Sequence, residues 1–388
     1  RDDVESRGLG DVYKRQGMGG AEYMAGKFQL RQFKDINLSD PFFNSLKQDY
    51  PGNEHSTSFI DWFHKKADQH KTALVFEDDT GIGAFICLKI ETEEIQLEEG
   101  TLPATDRVKI STIKIDDRYR GQRIGEGAIG LTLWQWQKMG KNEIYVTVFE
   151  KHEGLIVLLE KFGFERVGKN LNGELVYIHD RRKLDYSNPF KCFPFINPTV
   201  DKAGYIIIED TFHDTMFPYS ELKYTLQESV GLSVENGLSK IYVGKAPSVP
   251  YEIGQPVFIY RKHTGDGIKK YKSCLTSYCI VTDIIQAKVA GRTTIAFDAL
   301  IRRIGNKSVY DREQLRARYN LDPNMNVIEM LYFGFFGEGH NVTMDWLSRN
   351  GCWPNGGYPT SYVLSRAQFE QILREAGVDV ENVIINQA

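Results

Sequence analysis

Hydrophobic and polar positions alternate from Phe28 to Phe33 (FQLRQF), the period-two pattern of a strand. Ser39-Asp40-Pro41 then opens a helix: a capping residue precedes a Pro in the first turn, where its missing N–H costs nothing. Phe59, Trp62 and Phe63 fall at i, i+3 and i+4, the apolar stripe of a second helix. Two strand-like runs, Ala73–Phe76 and Ile82–Ile90, are joined by Asp78-Asp79-Thr80-Gly81, a hairpin signal. Arg107–Ile115 (RVKISTIKI) alternates again, so one face is expected to be buried and the other to line a cleft. A turn rich in Arg and Gly leads into a helix over about Gly125–Met139, with Ile124, Ala128 and Leu131 on its inner stripe. Ile144–Phe149 reads as the next strand. Leu155, Leu158, Leu159 and Phe162 mark a short amphipathic helix closed by Gly163, and Leu175–Ile178 a last strand. This order predicts an α/β (or α+β) fold: a mixed sheet with flanking helices and one βαβ crossover at its centre.

Past Asp180 the pattern breaks. Pro189, Pro194 and Pro198 fall within ten residues, which suggests an ordered linker over 183–201. From Gly204 the chain is strand-rich again, with Tyr205–Glu209, Lys240–Val243, Pro256–Tyr260 and Cys274–Ile285. Helices are expected over Arg312–Arg318 and Ser365–Ala376, the latter with a Ser365/Gln368 capping box ahead of Phe369, Ile372 and Leu373. The expected organisation is a first domain over 24–182, the linker, and a second domain over 202–388. The opening stretch RDDVESRGLGDVYKRQ has no apolar periodicity and no cap, and resembles sequencing-adapter read-through; residues 1–17 are set apart as a non-native or disordered tail.

Length agrees with this division, since 388 residues at roughly 150 per domain make two to three domains. The net charge of −4 carries no global signal for nucleic acid, so any such signal has to be local. The five Cys are odd in number and form no C-x-x-C pair, which speaks against a zinc site or a disulfide framework. No metal is expected, and reduced thiols suit a cytoplasmic protein. No run of 18 apolar residues suggests a membrane span, and no signal peptide is seen.

The strongest chemical signal is Asp117–Gly127 (DRYRGQRIGEG), placed between a strand and a helix. A Gly-containing turn at a helix N-terminus offers free N–H groups and the positive end of the helix dipole, both of which favour phosphate. Arg118, Arg120 and Arg123 add charge around it. The segment resembles the pyrophosphate loop of the GNAT (GCN5-related) N-acetyltransferase superfamily, Arg/Gln-x-x-Gly-x-Gly/Ala, with Arg120 and Gly125 at the first and last positions. Lys151–Phe164 (KHEGLIVLLEKFGF) resembles the later motif of that superfamily, which ends in Lys-x-Gly-Phe. The resemblance covers about 155 residues and implies acetyl-CoA, or another acyl-CoA, as cofactor. It assigns cofactor binding to Ile113, Lys114, Ile115, Arg120, Gly121, Gln122, Arg123, Ile124, Gly125 and Glu126. Ile113 to Ile115 would pair with the pantetheine arm, and an N–H near Ile113 would meet the thioester oxygen. Three departures stand out: Arg123 replaces the middle Gly, His152 stands where Asn is common, and Leu159 stands where many members have a Tyr acid. Glu150 and His152, just past the strand Ile144–Phe149, are the candidate catalytic bases. Tyr145 and Tyr177 are weaker candidates as acids.

In the second half, Gly237, Lys240 and Lys245 resemble the Gly-x-Lys-x-x-x-x-Arg segment of the ASCH and EVE branches of the PUA-like superfamily, with Lys245 in place of Arg. This implies a small β-barrel that binds RNA or a modified nucleobase. Lys240, Lys245, Arg261, Lys262, Lys269 and Lys270, interleaved with Tyr260 and Tyr271, are the candidate nucleic-acid contacts. The resulting expectation is an N-acyltransferase acting on an amine, with a module that presents the substrate. The alternatives are a non-catalytic acyl-CoA sensor or a toxin-like acetyltransferase acting on translation components.

Overall fold

Alternating runs in the first half pair into one seven-stranded sheet. A computed structural model describes residues 27–53, 57–217, 237–337, 339–356 and 359–385; the tail 1–17 lies outside them. The strands are β1 (Lys27–Gln32), β2 (Thr72–Asp78), β3 (Gly81–Glu91), β6 (Arg107–Ile115), β7 (Glu143–Val148), β8 (Glu165–Lys169) and β9 (Leu175–Asp180). Their order is β1-β2-β3-β6-β7-β9-β8, and a separate small hairpin joins β4 (Ile95–Leu97) to β5 (Gly100–Leu102). Among these described strands only β6 and β7 pair in parallel; the helix between them makes the expected central crossover. The small hairpin and β8 escape the sequence reading: Glu165, Arg166 and Val167 are exposed on an edge strand, so β8 lacks a buried face.

Among the described residues, this sheet is flanked by α1 (Asn44–Asp49), α2 (Phe59–Asp68), α3 (Ile124–Met139) and α4 (Glu153–Lys161). The entry to α1 is set by Asp40, whose carboxylate accepts the Phe42 N–H at 2.8 Å, with Pro41 in the first turn. Ser58 caps α2 in the same way through the Asp61 N–H. On that face of the sheet Phe33, Phe43, Phe63 and Phe85 form an aromatic cluster, edge to face except for stacked Phe63 and Phe85, with Phe33–Phe63 centroids 4.9 Å apart.

The other face belongs to α3, and here one-face amphipathicity fails. Ile124, Ala128, Ile129, Leu133, Trp134 and Trp136 are all buried, because a second sheet covers the side of α3 that the first leaves bare. Its strands are β10 (Lys202–Glu209), β11 (Ser239–Gly244), β12 (Pro256–Lys262), β13 (Cys274–Val289), β14 (Arg292–Thr293), β15 (Met325–Phe335), β16 (Val342–Thr343) and β17 (Leu364–Ser365). The path runs β11-β15-β13-β12-β10-β17, with β14 and β16 added on β13. No pairing among the described residues joins its two ends, so the closed barrel expected from the sequence is not observed. The apolar surface is buried without closure: Trp134 of α3 meets Tyr332 at 5.4 Å, and Phe369 of the helix Arg366–Glu375 meets Phe258 at 5.0 Å. The expected Ser365/Gln368 capping box starts that helix.

One apolar core therefore runs through both halves. Trp134 donates its indole N–H to the Phe333 carbonyl at 2.7 Å, and Gln137 donates to the Pro194 carbonyl at 2.8 Å. Gly130 allows the close approach, since a Cβ there would lie 2.6 Å from Leu238. Phe193, Phe195 and Ile196, within the stretch expected to be a linker, are themselves wholly buried.

Candidate functional site

Parallel pairing of β6 and β7 stops early. It joins Arg107–Ile110 to Glu143–Val146 and goes no further. Beyond it β6 stays on β3 and β7 stays on β9, so the two strands part into a V. A bulge starts the divergence: Ile110 faces Leu88 and Thr112 faces Cys87, which leaves Ser111 as an extra residue that bends β6. The Ser111 hydroxyl is buried there with no partner among the described residues. From Ser111 to Ile115 the inner edge of β6 presents backbone N–H and C=O groups to the cleft. Ile115 turns toward α3, its Cδ1 3.4 Å from where a Gly125 Cβ would lie. Lys114 turns the other way, donating to the Phe42 carbonyl and to Ser45 Oγ, 2.6 Å away. Burial lowers the Lys114 pKa, against the pull of the surrounding carboxylates.

The Arg- and Gly-rich turn closes the mouth of this V. Gly121 (φ 83°) and Arg123 (φ 63°) both adopt the left-handed region and reverse the chain into α3 at Ile124. The first N–H groups of α3 have no intrahelical partner, and its dipole makes the spot attractive to an anion. Arg120 is exposed and, among the described residues, pairs with exposed Asp117 alone, at 2.9 Å, so it can swing to a ligand. Gln122 is exposed beside it. Gly125 packs tightly: a Cβ would lie 3.2 Å from Leu158. Arg118 is committed elsewhere, to the Thr80 and Ile82 carbonyls at 2.8 and 2.5 Å. Arg123 and Glu126 are also turned away from the mouth. Arg123 pairs with Glu126 at 2.7 Å, and its guanidinium packs where Gly237 has no side chain. Burial alone would raise the Glu126 pKa; Arg123, Lys161 and the Ser239 N–H outweigh it and hold the carboxyl at about 2.

Across the cleft, Glu150 is exposed just past β7. His152, half-exposed at the start of α4, has Nε2 3.7 Å from Asp49 Oδ2, and Lys151 lies 2.5 Å from Asp49 Oδ1. Burial, then the Lys151 charge, lower the His152 pKa, with Asp49 opposing, so the ring is neutral at pH 7. Sequence reasoning missed three residues here: Asp49, Tyr50 and Glu174. The Tyr50 hydroxyl donates to Glu174 at 2.9 Å, its ring lies 5.8 Å from Phe149, and Asn170 also donates to Glu174. Burial and then Glu174 raise the Tyr50 pKa well above the ordinary phenol range. No local pattern links residues 124 apart in the chain. The two weaker tyrosines are engaged: Tyr145 donates to Glu91, and Tyr177 to Glu160 at 2.9 Å.

Residues 39–164 match the model of the acetyltransferase (GNAT) family. The match takes in α1, the V, the turn, α3, β7 and α4, and ends before the second sheet. Similar solved structures include an acetyltransferase GNAT family protein from Streptococcus agalactiae 2603, at 17% identity and a TM-score of 0.28, covering 40% of this chain and 96% of that one. An N-acetyltransferase from Staphylococcus aureus Mu50 is 19% identical, with a TM-score of 0.28 and coverage of 40% and 98%. The ribosomal-protein-S18-alanine N-acetyltransferase from Escherichia coli is 16% identical, with a TM-score of 0.25 and coverage of 39% and 91%. No curated protein matches the chain.

Outside residues 39–164, the basic residues singled out for nucleic acid do not share one surface. Lys240 is wholly buried, with its ammonium 5.9 Å from the Phe217 and Tyr332 rings. Arg261 is buried in a two-point pair with Asp214, both bonds 2.8 Å. Asp214 in turn contacts His213, whose Nε2 lies 2.7 Å from Thr276 Oγ1. Those two cations are removed from any nucleic-acid face because neighbouring elements cover both faces of their strands. Lys245, Lys262, Lys269 and Lys270 are exposed, with Lys262 paired to Glu209 and Lys270 to Asp345. Among the described residues no His/Cys/Asp/Glu group could hold a metal, all five Cys are buried free thiols, and no helix is long and apolar enough to cross a membrane.

Proposed function

We propose that this chain is an acyl-CoA-dependent N-acyltransferase, moving acetyl or a related acyl group directly to an amine in a ternary complex. The observation that carries the reading is the V between β6 and β7 with the N-terminus of α3 at its mouth. The pyrophosphate of acyl-CoA suits the N–H groups of Gly121 and of Arg123–Gly125, with Arg120 beside them; the Gln122 N–H is already given to the Tyr119 carbonyl. The amides of its pantetheine arm suit the free edge of Ser111–Ile115. The buried, unpartnered Ser111 hydroxyl and the backbone N–H groups of the bulge suit a developing oxyanion. Neutral His152, next to Asp49, accepts the proton of the incoming ammonium, directly or through water. The amine nitrogen then bonds to the carbonyl carbon, the carbon–sulfur bond breaks, and the nitrogen passes its remaining extra proton to water. Leu159 lies wholly in the core, so the departing thiolate takes its proton from water.

The acceptor is an amine that fits between Tyr50, Asp49 and His152. A nucleic-acid acceptor would rest on Lys245, Lys262, Lys269 and Lys270 alone. Calorimetric titration of acetyl-CoA into the wild type and Gly125→Glu, followed by CoA-release assays over amines, peptides and total RNA, tests the reading. Binding by the wild type, its loss in the variant, and release with one acceptor class support it. Binding without turnover on any acceptor points to an acyl-CoA sensor, and no binding at all sinks the proposal.

A further inference from the structure

Three contacts tie the turn at the mouth of the V to the second half of the chain. The Ser239 N–H donates to Glu126 Oε1 at 2.5 Å. Asn306 Nδ2 donates to the Gly121 carbonyl at 2.5 Å. The Arg123 guanidinium fills the space beside Gly237, where a Cβ would lie 2.2 Å from its Cζ. Gly121, Arg123 and Glu126 span the whole turn, and each is held by a different residue of the second half.

Arg123 explains why the arrangement matters. Its φ of 63° is unfavourable for any residue with a Cβ, and a glycine at this position would adopt it freely. An arginine here therefore needs compensation from its side chain. That side chain is nine-tenths buried, paired with Glu126, and inserted against the bare Cα of Gly237. The backbone conformation of the turn is thus linked to the packing of the second sheet.

We propose that the second half of the chain is a working part of the acyl-CoA site: Gly237, Ser239 and Asn306 set the pyrophosphate turn through Arg123, Glu126 and Gly121, and Arg123 is a positioning residue. This rests on the acyl-CoA reading above. By linkage, anything that displaces Gly237–Ser239 lowers acyl-CoA affinity, and bound acyl-CoA stabilises that contact in return.

The test is calorimetric titration of acetyl-CoA, and of acetyl-pantetheine, which lacks the pyrophosphate, into the full chain. Gly237→Ala, Asn306→Ala and Arg123→Gly are each expected to weaken acetyl-CoA binding about five- to tenfold. Acetyl-pantetheine binding stays as in the wild type. The double variant Arg123→Gly/Gly237→Ala binds no more weakly than Arg123→Gly alone, because both act through one contact. Asn382→Ala removes a bond from the second half to the Gln137 carbonyl at the far end of α3, and leaves acetyl-CoA affinity unchanged. Circular dichroism checks folding; should Arg123→Gly not fold, Asn306→Ala, at an exposed residue, and Gly237→Ala carry the comparison. Unchanged acetyl-CoA affinity in Gly237→Ala and Asn306→Ala overturns the proposal. Fully additive losses in the double variant also overturn it, since Arg123 then acts on the phosphates directly. A wild type that binds no acetyl-CoA rejects the acyl-CoA reading and this proposal together.

Discussion

His179 on β9 should make the fold acid-sensitive, and by an amount the structure sets. Its ring is packed 5.0 Å from Trp136 and 5.5 Å from Phe164, and Nε2 has no partner among the described residues. Burial lowers its pKa to about 4; a hydrogen bond with the Phe193 backbone and the charge of Asp180 oppose this without overcoming it. The unfolded chain titrates near 6.5, so it binds the proton more readily than the native state does. Stability from this group is therefore complete above pH 6.5 and is lost as pH falls toward 4. With these two values, lowering the pH from 7 to 5 costs about 2 kcal/mol through His179 alone. Urea unfolding at pH 7 and pH 5 measures the loss for the wild type and for His179→Gln, which keeps a polar side chain of similar length. The variant is expected to be less stable at both pH values but to lose about 2 kcal/mol less between them. Carboxylates titrate in both proteins and cancel in the comparison. An equal loss in wild type and variant would refute the assignment.

Trp134→Ala should destabilise by about 3–5 kcal/mol, since it removes a buried indole, its bond to Phe333 and its ring contacts with Phe193, Tyr332 and Phe335. Because those contacts join the two halves, denaturation of the wild type is expected to be one transition by both fluorescence and circular dichroism; two separate transitions would contradict the shared core. Arg261→Met leaves Asp214 without its main partner and should cost about 3–5 kcal/mol, while Lys269→Ala and Lys270→Ala, at exposed positions, leave the melting temperature close to that of the wild type, as thermal melts would show. Tyr50→Phe removes the donor to Glu174 and is expected to raise the amine KM about three- to tenfold with acetyl-CoA affinity unchanged; a variant with wild-type KM would remove Tyr50 from the acceptor wall.

Much of this protein is written locally. The alternation of RVKISTIKI predicts β6 at its observed bounds, and the Ser365/Gln368 pair predicts a helix start that forms both of its bonds. The turn before α3 is legible for the same reason: glycines, a helix N-terminus and a charge pattern are properties of neighbouring residues. What the sequence could not settle is which element covers which face. Periodicity marks the apolar stripe of α3, yet only the second sheet buries the side that the first leaves bare, with Lys138 left exposed. Lys240 and Arg261 read as surface cations on strands, and the covering of both faces puts them inside. Arg123 and Glu126 read as cofactor contacts from the motif, and the bare Cα of Gly237, 114 positions beyond Arg123, draws them to the second half instead. Tyr50 and Glu174 meet only because α1 and the turn before β9 close over the same end of the V. Local patterns record what a segment prefers against water. Ion pairs, burial and the shape of the cleft depend on partners that folding brings from far along the chain.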